Sequence, residues 1–100
     1  MGGTTAIAQK ILDNYESNDR DLFLYAANLD KIGKWKEARV LFLKLLKKNP
    51  QDTFTLNYVS YKLALKNQEL DFAFDLIKKA LTIDPDNGYF LDTLGWVEYK

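Results

Sequence analysis

The side chains that could do chemistry in this chain are carboxylates, amines and hydroxyls, because the sequence contains neither histidine nor cysteine. Histidine is the commonest general base and metal ligand, and cysteine provides thiolates, disulfides and many zinc sites. Ser17 and Ser60 therefore cannot join a catalytic triad that depends on histidine. What remains is the chemistry of paired carboxylates, of cations held by oxygen atoms, and of basic surfaces.

One carboxylate pair has the spacing of neighbours on a helix. Asp71 and Asp75 are four residues apart, and Lys78 and Lys79 follow them on the polar side. Glycoside hydrolysis requires two carboxyl groups that face each other across a cleft. We therefore interpret this pair as surface charge, and we expect no catalytic residues in the chain.

The segment that begins at Asp84 has the first residues of a calcium-binding loop. Its sixth position is Tyr89, where such loops need glycine, and its twelfth is Gly95, where they need a bidentate glutamate. A proline that ends one helix and a residue that caps the next explain the same segment. The sequence also has no glycine-rich phosphate loop and no HExxH motif. We expect no metal site, no cofactor and no enzyme activity.

Basic side chains are concentrated between Lys31 and Lys48, with Glu37 as the single acid among them. Over the whole chain, 14 basic and 14 acidic side chains cancel. Neither flanking segment extends the basic stretch, as a long nucleic-acid site would require. We interpret Lys31–Lys48 as a solvated face, and weak nucleic-acid binding through it remains an alternative.

No apolar run of the sequence approaches membrane-spanning length. The first ten residues lack the basic and apolar regions of a signal peptide. We expect a soluble protein with no targeting signal in this sequence. The compartment of the protein is left open.

The elements that would position any site are repeated along the chain. Leu22, Leu56 and Leu91 are 34 and 35 residues apart. Further series keep this spacing: Tyr25, Val59 and Leu94; Ala26, Ser60 and Gly95; Ala38 and Ala73; Phe42 and Ile77; Leu46 and Leu81; Pro50 and Pro85. Such self-similarity indicates a helical repeat rather than a bundle with coincidental spacing. The extra residue of the longer interval must lie between Leu63 and Leu70, in the turn at 66–69, because insertions cost least in loops.

Each repeat has the pattern of two amphipathic helices. In the first helix, apolar or small residues recur at i, i+3, i+4 and i+7, as at Leu22, Tyr25, Ala26 and Leu29 and at Leu56, Val59, Ser60 and Leu63. Gly33 and Lys34 break the first pair, and prolines end the second helices. Asp52 and Thr53 can cap the helix that follows Pro50, and Asp86 and Asn87 offer caps for the last helix. The small residues of the first helices should let a facing helix approach closely.

This pattern of leucine, small residue, alanine, aromatic or aliphatic residue and proline resembles the tetratricopeptide repeat, and residues 91–100 resemble repeats common in bacterial proteins of that family. The resemblance implies a single all-α domain over 1–100, with antiparallel helix-turn-helix repeats stacked in a right-handed α-α superhelix of about six helices. Its parts are a degenerate half repeat over 4–16, repeats over 19–50 and 53–85, and the first helix of a truncated repeat over 88–100. We expect a fragment of a longer array in which Leu91, Leu94 and Val97 lack cover, and we expect self-association through that last helix.

In the tetratricopeptide family the first helices line a concave groove that receives a peptide. By resemblance, the groove positions here are Phe23, Ala27, Asp30, Phe54, Asn57, Tyr61, Ala64, Tyr89, Asp92, Trp96 and Tyr99. The set is rich in aromatic residues, which are favoured at binding hot spots. Phe54 and Tyr89 could instead be packing residues at helix starts. Some family members hold a terminal carboxylate with cationic groove residues, and the matching positions here offer none: Phe23, Ala27, Tyr58, Tyr89 and Thr93.

The resemblance implies a protein–protein interaction module, an adaptor that binds a peptide or protein segment in an aromatic-rich groove. A structural spacer within a larger repeat scaffold is the alternative from a different class. Neither interpretation needs a cofactor or membrane insertion. The sequence does not identify the partner or its pathway.

Overall fold

The computed structural model describes residues 18–100. Its regular elements are five α-helices: α1 (Asp19–Lys31), α2 (Trp35–Lys48), α3 (Thr53–Leu65), α4 (Leu70–Ile83) and α5 (Gly88–Tyr99). The predicted all-α fold and the predicted pairing of helices are confirmed. The helix expected over 4–16 lies outside the described residues. None of the helices from α1 to α5 combines the length and apolar character needed to cross a membrane.

The chain divides into two compact units, one that ends at Leu45 and one that begins at Leu46. In the first unit, Asn18 caps the start of α1, because its side-chain oxygen accepts a hydrogen bond of 3.1 Å from the backbone N–H of Asp21. Such a cap satisfies one of the N–H groups that the first turn of a helix leaves without a partner. The ring of Phe23 on α1 meets the ring of Phe42 on α2 edge-on at 5.5 Å. The buried apolar residues of this unit are Leu22, Ala26, Ala38, Leu41, Phe42 and Leu45.

The turn between α1 and α2 occupies the three residues 32–34. Gly33 has φ +85°, in the left-handed region that suits glycine. The backbone N–H of Gly33 donates to the carbonyl of Asp30, and that of Lys34 donates to the carbonyl of Leu29. This arrangement satisfies carbonyls that the end of a helix leaves free, and it confirms the predicted break at Gly33 and Lys34.

In the second unit, α3, α4 and α5 pack against one another. The hydroxyl of Ser60 on α3 donates a buried hydrogen bond of 2.7 Å to the carbonyl of Ala73 on α4. The expectation that small residues allow close helix approach is therefore confirmed at this pair. The buried residues of α3 and α4 are Thr55, Leu56, Val59, Ser60, Leu63, Ala64, Ala73, Leu76, Ile77 and Ala80.

The turn between α3 and α4 is one residue longer and covers 66–69, where the sequence placed the insertion. Its first part repeats the bonding of the earlier turn, because the N–H of Gln68 donates to the carbonyl of Leu63 and Asn67 has φ 55°. Asparagine tolerates this left-handed conformation better than most residues. Glu69, with φ 45°, is the additional residue before α4, and its side chain forms no capping hydrogen bond.

Helix α5 buries a different stripe from the one that the repeat predicts. Phe90, Thr93 and Val97 are buried, whereas Leu91 is 49% exposed. The expectation that Leu91 lacks cover is confirmed, and the same expectation for Val97 is wrong. A methyl group added to Gly95 would meet no atom of the described residues within 4 Å beyond its own helix backbone. The sequence interpretation takes 88–100 as the first helix of a truncated repeat, so the role of Gly95 in a close helix contact stays a prediction.

Candidate functional site

The predicted site residues of the second unit lie on α3 and α5, and capping residues fix where both helices begin. The carboxylate of Asp52 accepts hydrogen bonds from the backbone N–H of Thr55 at 3.2 Å and from its hydroxyl at 2.8 Å. The side-chain oxygen of Asn87 accepts from the N–H groups of Tyr89 at 2.9 Å and Phe90 at 3.2 Å. These are two of the capping residues that the sequence predicted. Because both helix starts are fixed, the aromatic residues one to two turns later have defined positions.

A concavity of ≈ 300 Å³, which we call the recess, lies between α3 and α5. It is lined by Asn57, Tyr61, Tyr89, Asp92, Thr93 and Trp96. A volume of this size is at the lower end of the range for ligand pockets in proteins. The structure thus brings together five of the predicted site residues from the first helices of two successive repeats.

A second and more open concavity of ≈ 510 Å³ lies along α5, and we call it the outer face. Its lining residues are Asp92, Gly95, Trp96 and Tyr99. The rings of Trp96 and Tyr99 meet edge-on at 6.3 Å, and the ammonium group of Lys100 lies 6.0 Å from the centroid of Trp96. Asp92 and Trp96 line both concavities, so they form the boundary between the recess and the outer face.

The recess combines aromatic surface with hydrogen-bond acceptors. The side-chain oxygen of Asn57 is shielded from water and has no hydrogen-bond partner among residues 18–100. Asp92 adds an exposed carboxylate, and none of the six lining side chains is basic. A ligand with hydrogen-bond donors and a flat or apolar surface would therefore complement this site.

Three of the predicted site residues have side chains that are largely exposed to solvent. Phe54 is 78% exposed, Tyr89 at the recess edge is 79% exposed, and Tyr99 on the outer face is 81% exposed. Exposure of this extent argues against the alternative that Phe54 and Tyr89 are packing residues at helix starts. The groove assignment of Ala64 is wrong, because Ala64 is completely buried among the helices of the second unit.

The remaining predicted groove residues, Phe23, Ala27 and Asp30, belong to the first unit. All three are half-buried on α1. The ring of Phe23 contacts Phe42, so at least part of its surface serves packing within that unit.

The sequence interpretation named Thr93 only as a position that matches carboxylate-binding residues of the family and left it out of the predicted groove, although it lines the recess. Thr93 is buried, and it lies one turn from both Tyr89 and Trp96 on α5. The signal that could have identified it is the spacing Tyr89, Thr93, Trp96, which is one face of a helix. Among residues 18–100, no group of acidic side chains is arranged to hold a metal ion.

Comparison with known proteins finds relatives that carry the same kind of repeat. The chain is 38% identical over 71 residues to a TPR repeat-containing protein of Methanocaldococcus jannaschii, which covers 68% of the chain and 12% of the relative. It is 32% identical over 56 residues to a TPR repeat-containing protein of Pseudomonas aeruginosa, which covers 56% of the chain and 10% of the relative. The chain thus spans only about a tenth of the length of these curated relatives.

No family model matches the chain, and no solved structure gives a significant match. Both relatives are described as repeat-containing proteins, in agreement with the all-helical fold of residues 18–100. The chain is an all-α helical repeat protein that is similar to TPR repeat-containing proteins.

Proposed function

We propose that this chain is a protein-interaction module whose recess receives a segment of another protein. The observation that carries the proposal is the convergence of Tyr61, Tyr89 and Trp96 from two successive first helices on one recess. Tyrosine and tryptophan provide large contact areas at low entropic cost, and they are enriched at binding hot spots. In the same proposal, 19–50 and 53–85 are repeats and 88–100 is the first helix of another.

Exposure of the aromatic residues supports this proposal over a purely structural role. Trp96 is 44% exposed and Tyr89 is 79% exposed, although both are large and partly apolar. The buried face of α5 is instead formed by Phe90, Thr93 and Val97. Folding of the second unit therefore uses one side of α5, and the aromatic side is available to a partner.

A selection from a random peptide library displayed on phage tests the proposal. The selected peptides should bind the chain and lose at least about tenfold in affinity to a Tyr61→Ala, Trp96→Ala double variant, as expected for two hot-spot residues. Phe74→Ala is the matched control, because Phe74 is an exposed aromatic residue on α4 that lines neither concavity.

Circular dichroism establishes that each variant keeps its helical content. Peptides that bind all three proteins equally would place the binding site elsewhere and contradict the proposal. A selection that yields no binder to the folded chain would favour the second candidate function.

That second candidate is a spacer within a repeat array, or a segment that self-associates through α5. The exposure of Leu91 favours it, since the equivalent residues Leu22 and Leu56 are buried. Sedimentation velocity over a range of protein concentrations tests this candidate. An association that weakens in a Leu91→Gln variant would support it, and a monomer at all concentrations would argue against self-association.

A further inference from the structure

We propose that the recess is selective for a basic side chain of its partner, arginine before lysine. This inference rests on the proposed function, because it specifies the chemistry of the segment that the recess receives. It depends on three features of the second unit: the charge of the lining residues, the aromatic rings and an acceptor without a partner.

The residues that line the recess carry a single negative charge and no positive one. Asp92 is the charged residue among the six that line it. Helix α5 carries one further charge, Glu98, and no basic residue between Gly88 and Tyr99. On α3 the charged side chain is Lys62, and its ammonium group lies 5.5 Å from the ring of Tyr58, outside the lining of the recess. A cationic ligand would therefore meet a carboxylate and no lining cation, whereas an acidic ligand would meet repulsion.

The aromatic rings favour the same ligand charge. Tyrosine and tryptophan rings attract cations through their electron-rich faces. One ring already has such a neighbour, since the ammonium group of Lys100 lies 6.0 Å from the centroid of Trp96. Arginine suits this surface better than lysine, because its planar guanidinium group stacks on aromatic rings and is more weakly hydrated.

The third feature is the side-chain oxygen of Asn57, which is shielded and has no hydrogen-bond partner in the described part of the chain. An acceptor in this condition costs free energy until a donor reaches it. A guanidinium group has five N–H donors, so it can bond to the exposed carboxylate of Asp92 and still offer donors to Asn57 on the same lining. A carboxylate or an aliphatic side chain supplies neither bond.

Matched peptides test the inference directly. Three capped peptides would be identical except for one central residue, which is arginine, its neutral isostere citrulline, or glutamate. Titration of the isotope-labelled chain is followed by the nuclear magnetic resonance signals of the backbone and of the Trp96 indole N–H. The arginine peptide should shift the signals of the recess residues and bind about three- to tenfold more tightly than the citrulline peptide. The glutamate peptide should bind most weakly.

Two acidic residues of α5 provide a matched pair of variants. Asp92→Asn should remove most of the preference for arginine over citrulline, because it removes the lining carboxylate while keeping the side-chain size. Glu98→Gln makes the same change of charge at an exposed residue outside both concavities, and it should leave the preference almost unchanged. Lys100→Gln should strengthen binding of the arginine peptide, because it removes the cation next to Trp96.

The outcomes separate this inference from the proposed function. Equal binding of the arginine and citrulline peptides at the recess would overturn the charge preference and leave the recess as a binding site. Equal effects of Asp92→Asn and Glu98→Gln would also overturn it, since the preference would then reflect overall charge. Tighter binding of the glutamate peptide, or no shift of any recess signal by the three peptides, would overturn it as well. In that last case the phage selection still decides the proposed function.

Discussion

Helices α3 and α5 carry the same repeat positions but have different neighbours. Leu56 of α3 is 1% exposed, and its counterpart Leu91 of α5 is 49% exposed. Ser60 bonds to the backbone of α4 at 2.7 Å, whereas a side chain at its counterpart Gly95 would meet no atom of the described residues within 4 Å. The difference lies in which face is covered: α4 packs on the Ser60 side of α3, whereas none of the described helices packs closely on the Gly95 side of α5.

The comparison separates what a repeat pattern determines from what a neighbour determines. Both helices form, because each has a capping residue and helical periodicity. Burial of the patterned residues requires a facing helix, because one helix pair cannot cover all of its own apolar surface. In α5 the buried stripe is the one that faces α3 and α4, and it contains Phe90, Thr93 and Val97.

The largest expected difference between the two helices is the loss in the free energy of unfolding when their equivalent leucines are truncated to alanine. Leu56→Ala should lower the free energy of unfolding by about 2–5 kcal/mol, because it leaves a cavity in a packed core. Leu91→Ala should lower it by less than about 1 kcal/mol, because half of that side chain is already in solvent. Urea unfolding followed by circular dichroism measures both values. Similar losses for the two variants would mean that Leu91 is covered in solution, for instance by a second copy of the chain.

The caps provide the next comparison. Asp52→Ala removes the acceptor for both the backbone N–H and the hydroxyl of Thr55, and should destabilise the chain by about 1–2 kcal/mol. Asn87→Ala at the start of α5 should cost about 0.5–1 kcal/mol and should also displace Tyr89. Thermal unfolding gives the stability difference, and the signals of the recess residues report the displacement. A larger loss from Asn87→Ala than from Asp52→Ala would contradict the view that α5 is the less constrained helix.

The hydrogen bond between Ser60 and Ala73 should contribute less to the free energy of unfolding than the cap at Asp52. Ser60→Ala removes the hydroxyl but keeps a residue small enough for the close approach of α3 and α4, so we expect a loss of about 1 kcal/mol. Ser60→Val, which adds volume at the same contact, should destabilise the chain further through overpacking. Denaturation midpoints of the two variants test this order. If Ser60→Val were the more stable of the two, the contact would be looser than the 2.7 Å bond implies.

The helices and turns could be predicted from the sequence because their causes are local. The residues from Leu56 to Leu63 repeat with helical spacing, Pro50 and Pro85 end helices, and the extra residue lies in the turn at 66–69 as expected. Caps at Asp52 and Asn87 follow from the same local chemistry. These features can be predicted without knowing how a third helix packs.

The burial of α5 and part of the candidate site could not be predicted, because they depend on neighbours. The repeat alignment gives Leu91 and Gly95 a core position, and only the packing of α5 shows that Phe90 and Val97 take that role. Five of the predicted groove residues meet at the recess, yet Ala64 is buried and Thr93 was missed. A shift of the covered stripe by one residue, about 100° around the helix axis, is enough to exchange a core residue for a surface residue.

Substitution of Gly95 should have the smallest effect on the free energy of unfolding, and the sign of that effect is informative. Within a helix, alanine is favoured over glycine by about 0.5–1 kcal/mol because it restricts the unfolded chain. Since an added methyl group would meet no atom of residues 18–100 within 4 Å apart from its own helix, Gly95→Ala should raise the free energy of unfolding by about that amount. Ser60→Gly at the equivalent position should lower it, because that change loses both the hydrogen bond and the helix preference. Paired urea titrations measure the two shifts. A loss of stability in Gly95→Ala would show that a helix approaches α5 closely in solution, as the repeat pattern alone predicts.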